Sequence, residues 1–180
     1  MLGNSVDRYG TVSRVIHWLA ALIILVLIGV GMYMSDLPKT DPSRLQIYNA
    51  HKAFGVLVIA LLLLRLLWLR IHPAPALPAI LKPAELKLFK VVKAGLYLLM
   101  FLVPVAGYTM SVAGGHPVSF FGWFTLPDLF GKSKALGGFA HEMHGILAYT
   151  LLALVALHVA GAIKHRLKGN AEADLLKRMI

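Results

Sequence analysis

The chain has 180 residues, 58% of them hydrophobic and only 14% charged, with no cysteine, a mean hydropathy of +0.74 and a formal net charge of +10. That composition excludes an ordinary water-soluble domain. The lack of cysteine excludes disulfides, thiolate-bound zinc, iron–sulfur clusters and any C-x-x-C-H attachment, so a redox centre here must use histidine, methionine or carboxylate.

Residues 1–13 form a polar lead. The first apolar stretch, about 14–34, follows basic residues as a signal peptide would. It is too long for that role, lacks a small-residue cleavage site and precedes three further spans, so it is expected to remain. A short outer turn with Pro38 and Pro42 leads to a second span, about 47–69. A stiff connection with Pro73, Pro75 and Pro78 then leads to the basic segment Glu85 to Lys93, which opens a third span, about 88–112. Pro104 is expected to kink that helix. The longest connection, Gly114 to Gly137, carries Phe120, Phe121, Trp123, Phe124 and Phe130 and reads as a folded flap at the outer interface. The fourth span is about 138–163. Each span has the roughly 20 apolar residues needed to cross hydrocarbon. The expected fold is all-α: one domain, 1–180, forming an integral membrane four-helix bundle.

The basic residues are placed unevenly. Arg8, Arg14, Arg65, Arg70, Lys82, Lys87, Lys90, Lys93, Lys164, Arg166, Lys168, Lys177 and Arg178 fall on one side, against Lys39, Arg44, Lys52, Lys132 and Lys134 on the other. The positive-inside rule therefore puts both termini in the cytoplasm. Because the cations gather at span ends and not along one face, no nucleic-acid partner is expected.

This topology assigns depths to histidines. His144 and His158 are fourteen residues apart on the fourth span, about four turns less 40°, so they leave one face separated by about 21 Å of rise. His17 starts the first span at cytoplasmic depth, and His51 starts the second from outside. Two depth-matched pairs result: His17 with His158 inside, and His51 with His144 outside. Two imidazoles per metal is the ligation of a six-coordinate b-type haem, which favours electron transfer over ligand binding at iron. The residues four positions on, Ala21, Gly55, Ala148 and Ala162, are all small, which leaves room on the ligand face. The same residues would also suit close helix packing.

Arg65, fourteen residues after His51, reaches inner depth, where it could pair with a haem propionate or snorkel to the interface. Arg14 and Lys52 are weaker propionate candidates. His141 could orient His144 or replace it. His165 could serve a quinone carbonyl, although a cationic anchor among Lys164 and Arg166 is the simpler reading. His72 and His116 precede prolines in loops and are expected to be solvated.

The motifs "RYGTVSRVIHWLAA" around His17, "HKAFGVLVIALLLLR" from His51 to Arg65, "GHPVSFFGWFTLP" before the fourth span and "HEMHGILAYTLLALVALHVAGAIKHR" within it together resemble the bacterial cytochrome b561 family over nearly the whole chain. Met143 stands where that family commonly has Trp. The resemblance implies a multi-pass protein of the bacterial inner membrane holding two non-covalent haem b groups on His17, His51, His144 and His158. It further implies electron transfer between an outer donor and a membrane quinone such as ubiquinone, with superoxide the donor in superoxide oxidase-like members. The basic outer residues are compatible with steering a small anion. The competing expectation is a dihaem membrane-anchor subunit relaying electrons for a partner dehydrogenase or hydrogenase, with the aromatic flap as its docking surface.

Overall fold

The computed structural model describes residues 1–78, 80–167 and 174–180; Lys168, counted above among the basic residues, lies outside them. Among the described residues, four helices are long and apolar enough to cross a membrane: α1 (Thr11–Ser35), α2 (Arg44–Ile71), α3 (Pro83–Ala113) and α4 (Lys134–Leu167). Each runs a few residues past its expected apolar span, because the helices continue into the headgroup layer, where polar side chains are at no disadvantage and hydropathy no longer marks them. Their starts have local causes. Pro83 occupies the first turn of α3 and the Glu85 carboxylate accepts the Lys82 N–H at 3.2 Å, while Ser133 Oγ accepts the Leu136 N–H at 3.3 Å ahead of α4. α3 runs unbroken through Pro104.

α1 packs along α2 and α4 along α3, and α2 joins the two pairs through α3. Among the described residues α4 makes almost no close backbone approach to α1 or α2. The bundle is therefore open between α4 and the α1–α2 pair at the backbone level. At mid-height it is closed by a buried cluster of Ala20, Ile24, Val58, Leu61, Leu62, Leu99, Met100 and Leu151. Large apolar side chains such as Leu22, Leu25, Leu63, Leu67, Leu98 and Ile146 point outward, as lipid-facing positions do.

At the end opposite the termini, the connection before α4 contains a minimal hairpin, β1 (Ser119–Phe120) pairing antiparallel with β2 (Phe124–Thr125). The expected flap thus contains two short strands. Phe121 (φ 51°) and Gly122 (φ 80°) form its tip, and the Trp123 N–H closes the turn on Phe120 O at 2.9 Å. A bulky residue at positive φ is strained by about 1 kcal/mol or more. Phe121 is held there by edge contacts to Phe54 on α2 (5.0 Å) and to Phe120 (4.8 Å). Lys52 Nζ donates to Pro117 O at 2.8 Å, and Tyr108 OH donates to Pro127 O, so α2 and α3 both tie the flap down.

At the other end Asn4 knits the lead to the bundle. Its Oδ1 accepts from the Gly10 N–H (2.9 Å) and Ser13 Oγ (2.7 Å), and its Nδ2 donates to His72 O (2.8 Å). Ser13 is buried, and Asn4 Oδ1 is the acceptor of its hydroxyl. Asn4→Ala is expected to lower stability by about 1–3 kcal/mol, read as a lower thermal midpoint in detergent.

Candidate functional site

Among the described residues the α4 backbone stays apart from α1 and α2 above and below the Leu151 cluster, and both histidine pairs lie across that opening. The ring centroids of His17 and His158 are 6.3 Å apart, and those of His51 and His144 are 6.2 Å apart. Two imidazoles bound end-on to one metal through bonds of roughly 2 Å have ring centres roughly 6 Å apart. Both separations match a metal seated between the rings. Among the described residues no group of three or more His, Cys, Asp or Glu side chains could hold a metal ion. Two protein ligands per site suit a metal whose other positions are filled by a macrocycle, as in b haem. Leu151, seven residues from each of His144 and His158, belongs to the buried mid-height cluster, so apolar packing separates the two levels.

The upper pair shows how the backbone prepares a ligand. His144 Nδ1 lies 2.9 Å from Val103 O on α3. An Nδ1–H donating to that carbonyl fixes the tautomer, leaving Nε2 with a free lone pair for a metal. The ring reaches α3 only because Gly107 has no side chain: a Cβ there would lie 3.0 Å from His144 Cε1 and 3.1 Å from Nδ1. A cavity of about 1100 Å³ surrounds this level, lined by His51, Gly55, Pro104, Gly107, Tyr108 and His144 among others. It is slightly larger than ordinary small-molecule sites, which run from about 300 to 1000 Å³. Gly55, one turn after His51, faces open space, with nothing within 4 Å of where a Cβ would be. Paired imidazoles, a tautomer lock and a glycine-lined cavity fit a haem b.

The remaining expected residues are placed variously. Arg65 is on the termini side, where its Nε donates to Tyr97 OH (3.1 Å) and its Nη1 to Ser13 O (3.1 Å). Arg14 Nη2 is 3.5 Å from Thr11 Oγ1, and its Nε is buried with no hydrogen-bond partner among the described residues. Lys52 holds the flap, as described above. His141 is exposed and lines the upper cavity. The group against His144 Nδ1 is the Val103 carbonyl.

His165 and His72 depart from expectation. His165 is only 8% exposed, where a headgroup anchor would be splayed outward. His72 is half-buried and stacks on Trp68 with ring centroids 4.1 Å apart, because the lead folds over it with Gly3 against its ring. Residue spacing gave no sign of Val103 or Gly107. Pro104, next to Val103, was the one local hint that this part of α3 is unusual.

Residues 8–180 match the family described as prokaryotic cytochrome b561. The chain is similar to cytochrome b561 homolog 2 of Escherichia coli (strain K12), with 33% identity over 177 residues that cover 98% of this chain and 93% of that protein. Four membrane-crossing helices, paired imidazoles and a match over almost the full length lead to one conclusion: the chain belongs to the prokaryotic cytochrome b561 family, multi-pass membrane proteins of electron transfer through b haems.

Proposed function

We propose that the protein carries electrons across the bacterial inner membrane, from superoxide or another small donor at the outer face to ubiquinone or another membrane quinone. The observation that carries this reading is the placement by α4 of two imidazoles fourteen residues apart, each about 6 Å from a partner ring on α1 or α2. His17 and His158 hold the inner haem b, and His51 and His144 the outer one. When bound, haem supplies reversible one-electron chemistry at iron. The chain contributes ligands, the Val103 carbonyl that orients His144, and the apolar mid-height cluster that keeps water from the interior between the two levels.

The positive-inside asymmetry supports termini in the cytoplasm. Lys39, Arg44, Lys52 and Lys134 line the outer cavity, with Asp41 beside them, and a cationic mouth suits a small anionic donor. Arg65 and Arg14, at inner depth, are the basic groups placed for haem propionates. A second reading, a membrane-anchor subunit serving a partner dehydrogenase or hydrogenase, is favoured by the exposed hairpin, where Trp123 is 83% exposed.

The test is production of this chain alone with ample haem, followed by haem quantitation, reduced-minus-oxidised spectra and quinone reduction driven by superoxide. Two haems per chain and superoxide-dependent quinone reduction are expected. A colourless protein, or one haem per chain, overturns the reading. A dihaem protein inert to superoxide but reduced by a partner enzyme supports the second.

A further inference from the structure

At the termini end, the last residues of the chain reach the side chain next to a candidate haem ligand. Trp18 stands edge-on to His17, with ring centroids 5.3 Å apart, and its indole N–H donates to Met179 O at 2.9 Å. Met179 sits at the end of a 3₁₀ turn, Leu176–Arg178, that packs against α4. Backbone and side-chain bonds fix this segment independently of Trp18. The Tyr9 N–H donates to Arg178 O at 3.2 Å, Arg178 Nη1 donates to Ala76 O at 2.6 Å, and the Met179 N–H closes on Leu176 O at 2.9 Å. The lead, the proline-rich connection and α4 therefore all hold the carbonyl that receives the indole.

We infer that Trp18 is a positioning residue for His17 and that the C-terminal segment sets its position. This role holds where His17 is a haem ligand, as proposed above. An imidazole on a metal has one soft freedom, rotation about the metal–nitrogen bond. A ring packed edge-on against it restricts that rotation, provided the packing ring is itself fixed. Trp18 is 47% exposed on its other side, so side-chain packing alone does not fix it. The hydrogen bond to Met179 O supplies the missing constraint. The plane of the His17 ring relative to its partner, 71° from His158 here, is then controlled from the end of the chain. In low-spin ferric haem the angle between axial imidazole planes governs the anisotropy of the electron paramagnetic resonance signal, and it also affects the reduction potential. A tryptophan serving only as an interfacial anchor would have no such effect.

The test compares the unaltered dihaem protein with Trp18→Phe, with a chain ending at Asp174, and with both changes combined. The readouts are the resonance signals of the two ferric haems and the oxidised-to-reduced ratio of each at a fixed potential. Trp18→Phe keeps an aromatic ring beside His17 and removes only the donor, so folding is preserved. The expected result is that each single change moves the inner haem's signal and shifts its ratio by about two- to tenfold, the worth of one hydrogen bond. The outer haem stays unmoved, and the combined variant matches the singles because both remove one coupling. An inner signal unmoved in Trp18→Phe, or effects that simply add in the combined variant, would overturn the inference. Failure of the underlying reading looks different: the unaltered chain would bind fewer than two haems, or His17→Ala would keep both.

Discussion

His158→Ala is expected to yield a protein with one haem in place of two, the outer signal intact and the inner signal gone. His158 faces His17 across the opening between α4 and α1, with ring centroids 6.3 Å apart. On the proposed ligation, removing one imidazole would leave the inner haem held by His17 and packing alone. The outer pair lies fourteen residues away along α4, about 21 Å, beyond the cluster centred on Leu151, so its geometry does not depend on His158. A haem present at a hundredfold its dissociation constant stabilises a fold by about 2.7 kcal/mol, and the variant should melt earlier by that linkage as well as by the lost packing. Electron delivery to the quinone side should fall to background, while reduction of the outer haem from outside continues. His51→Ala should show the mirror pattern. Pyridine haemochrome quantitation with low-temperature spectra checks both, and two haems with unaltered spectra in His158→Ala would refute the inner assignment.

The spans and the ring pairings were legible in the sequence because both depend on length alone. A helix rises 1.5 Å per residue, so roughly 20 apolar residues reveal a crossing, and position along it reveals depth. His144 and His158 could be matched to His51 and His17 on that basis, and the structure brings those rings together. Helix ends were less legible, since Arg44 belongs to α2 and Lys134 to α4 yet neither carries a hydropathy signal once the chain has entered the headgroups. The tautomer lock on His144 was invisible for a different reason: its acceptor is a backbone carbonyl, and every residue has one. Contacts made by the lead and the tail were likewise hidden. Asn4 meets Ser13 and His72, and Trp18 meets Met179, through chain segments in which no periodic pattern exists. The hairpin tip is the sharpest case. Gly122 announces a turn, but Phe121 at positive φ is a residue that turn statistics would reject, and it is kept there by Phe54 from another element.

Gly107→Ala should separate two effects that ordinarily run together, helix stability and cofactor retention. In the interior of α3 an alanine is favoured over glycine by about 0.5–1 kcal/mol, through backbone entropy alone. Yet the new Cβ would lie 3.0 Å from His144 Cε1 and 3.1 Å from Nδ1, closer than a ring carbon and a methyl can comfortably approach. His144 must then move away from α3, and its hydrogen bond to Val103 O, 2.9 Å long, is the contact that stretches. Loss of such an outer-sphere partner typically lowers metal affinity by about 10- to 100-fold. That is about 1.4–2.7 kcal/mol at the outer site, more than the helix gains, so the ligand effect wins wherever haem is limiting. The expected protein is as stable as the unaltered one when stripped of haem, or slightly more so. It loses outer haem first on dilution or competition with apo-myoglobin, and it shows a displaced outer-haem resonance signal with the inner signal unchanged. Gly31→Ala is the matched control, since its Cβ would approach His51 Cε1 only to an ordinary 3.4 Å and should leave both haems in place. Equal retention of the outer haem in Gly107→Ala and Gly31→Ala would mean that His144 does not depend on its seat against α3.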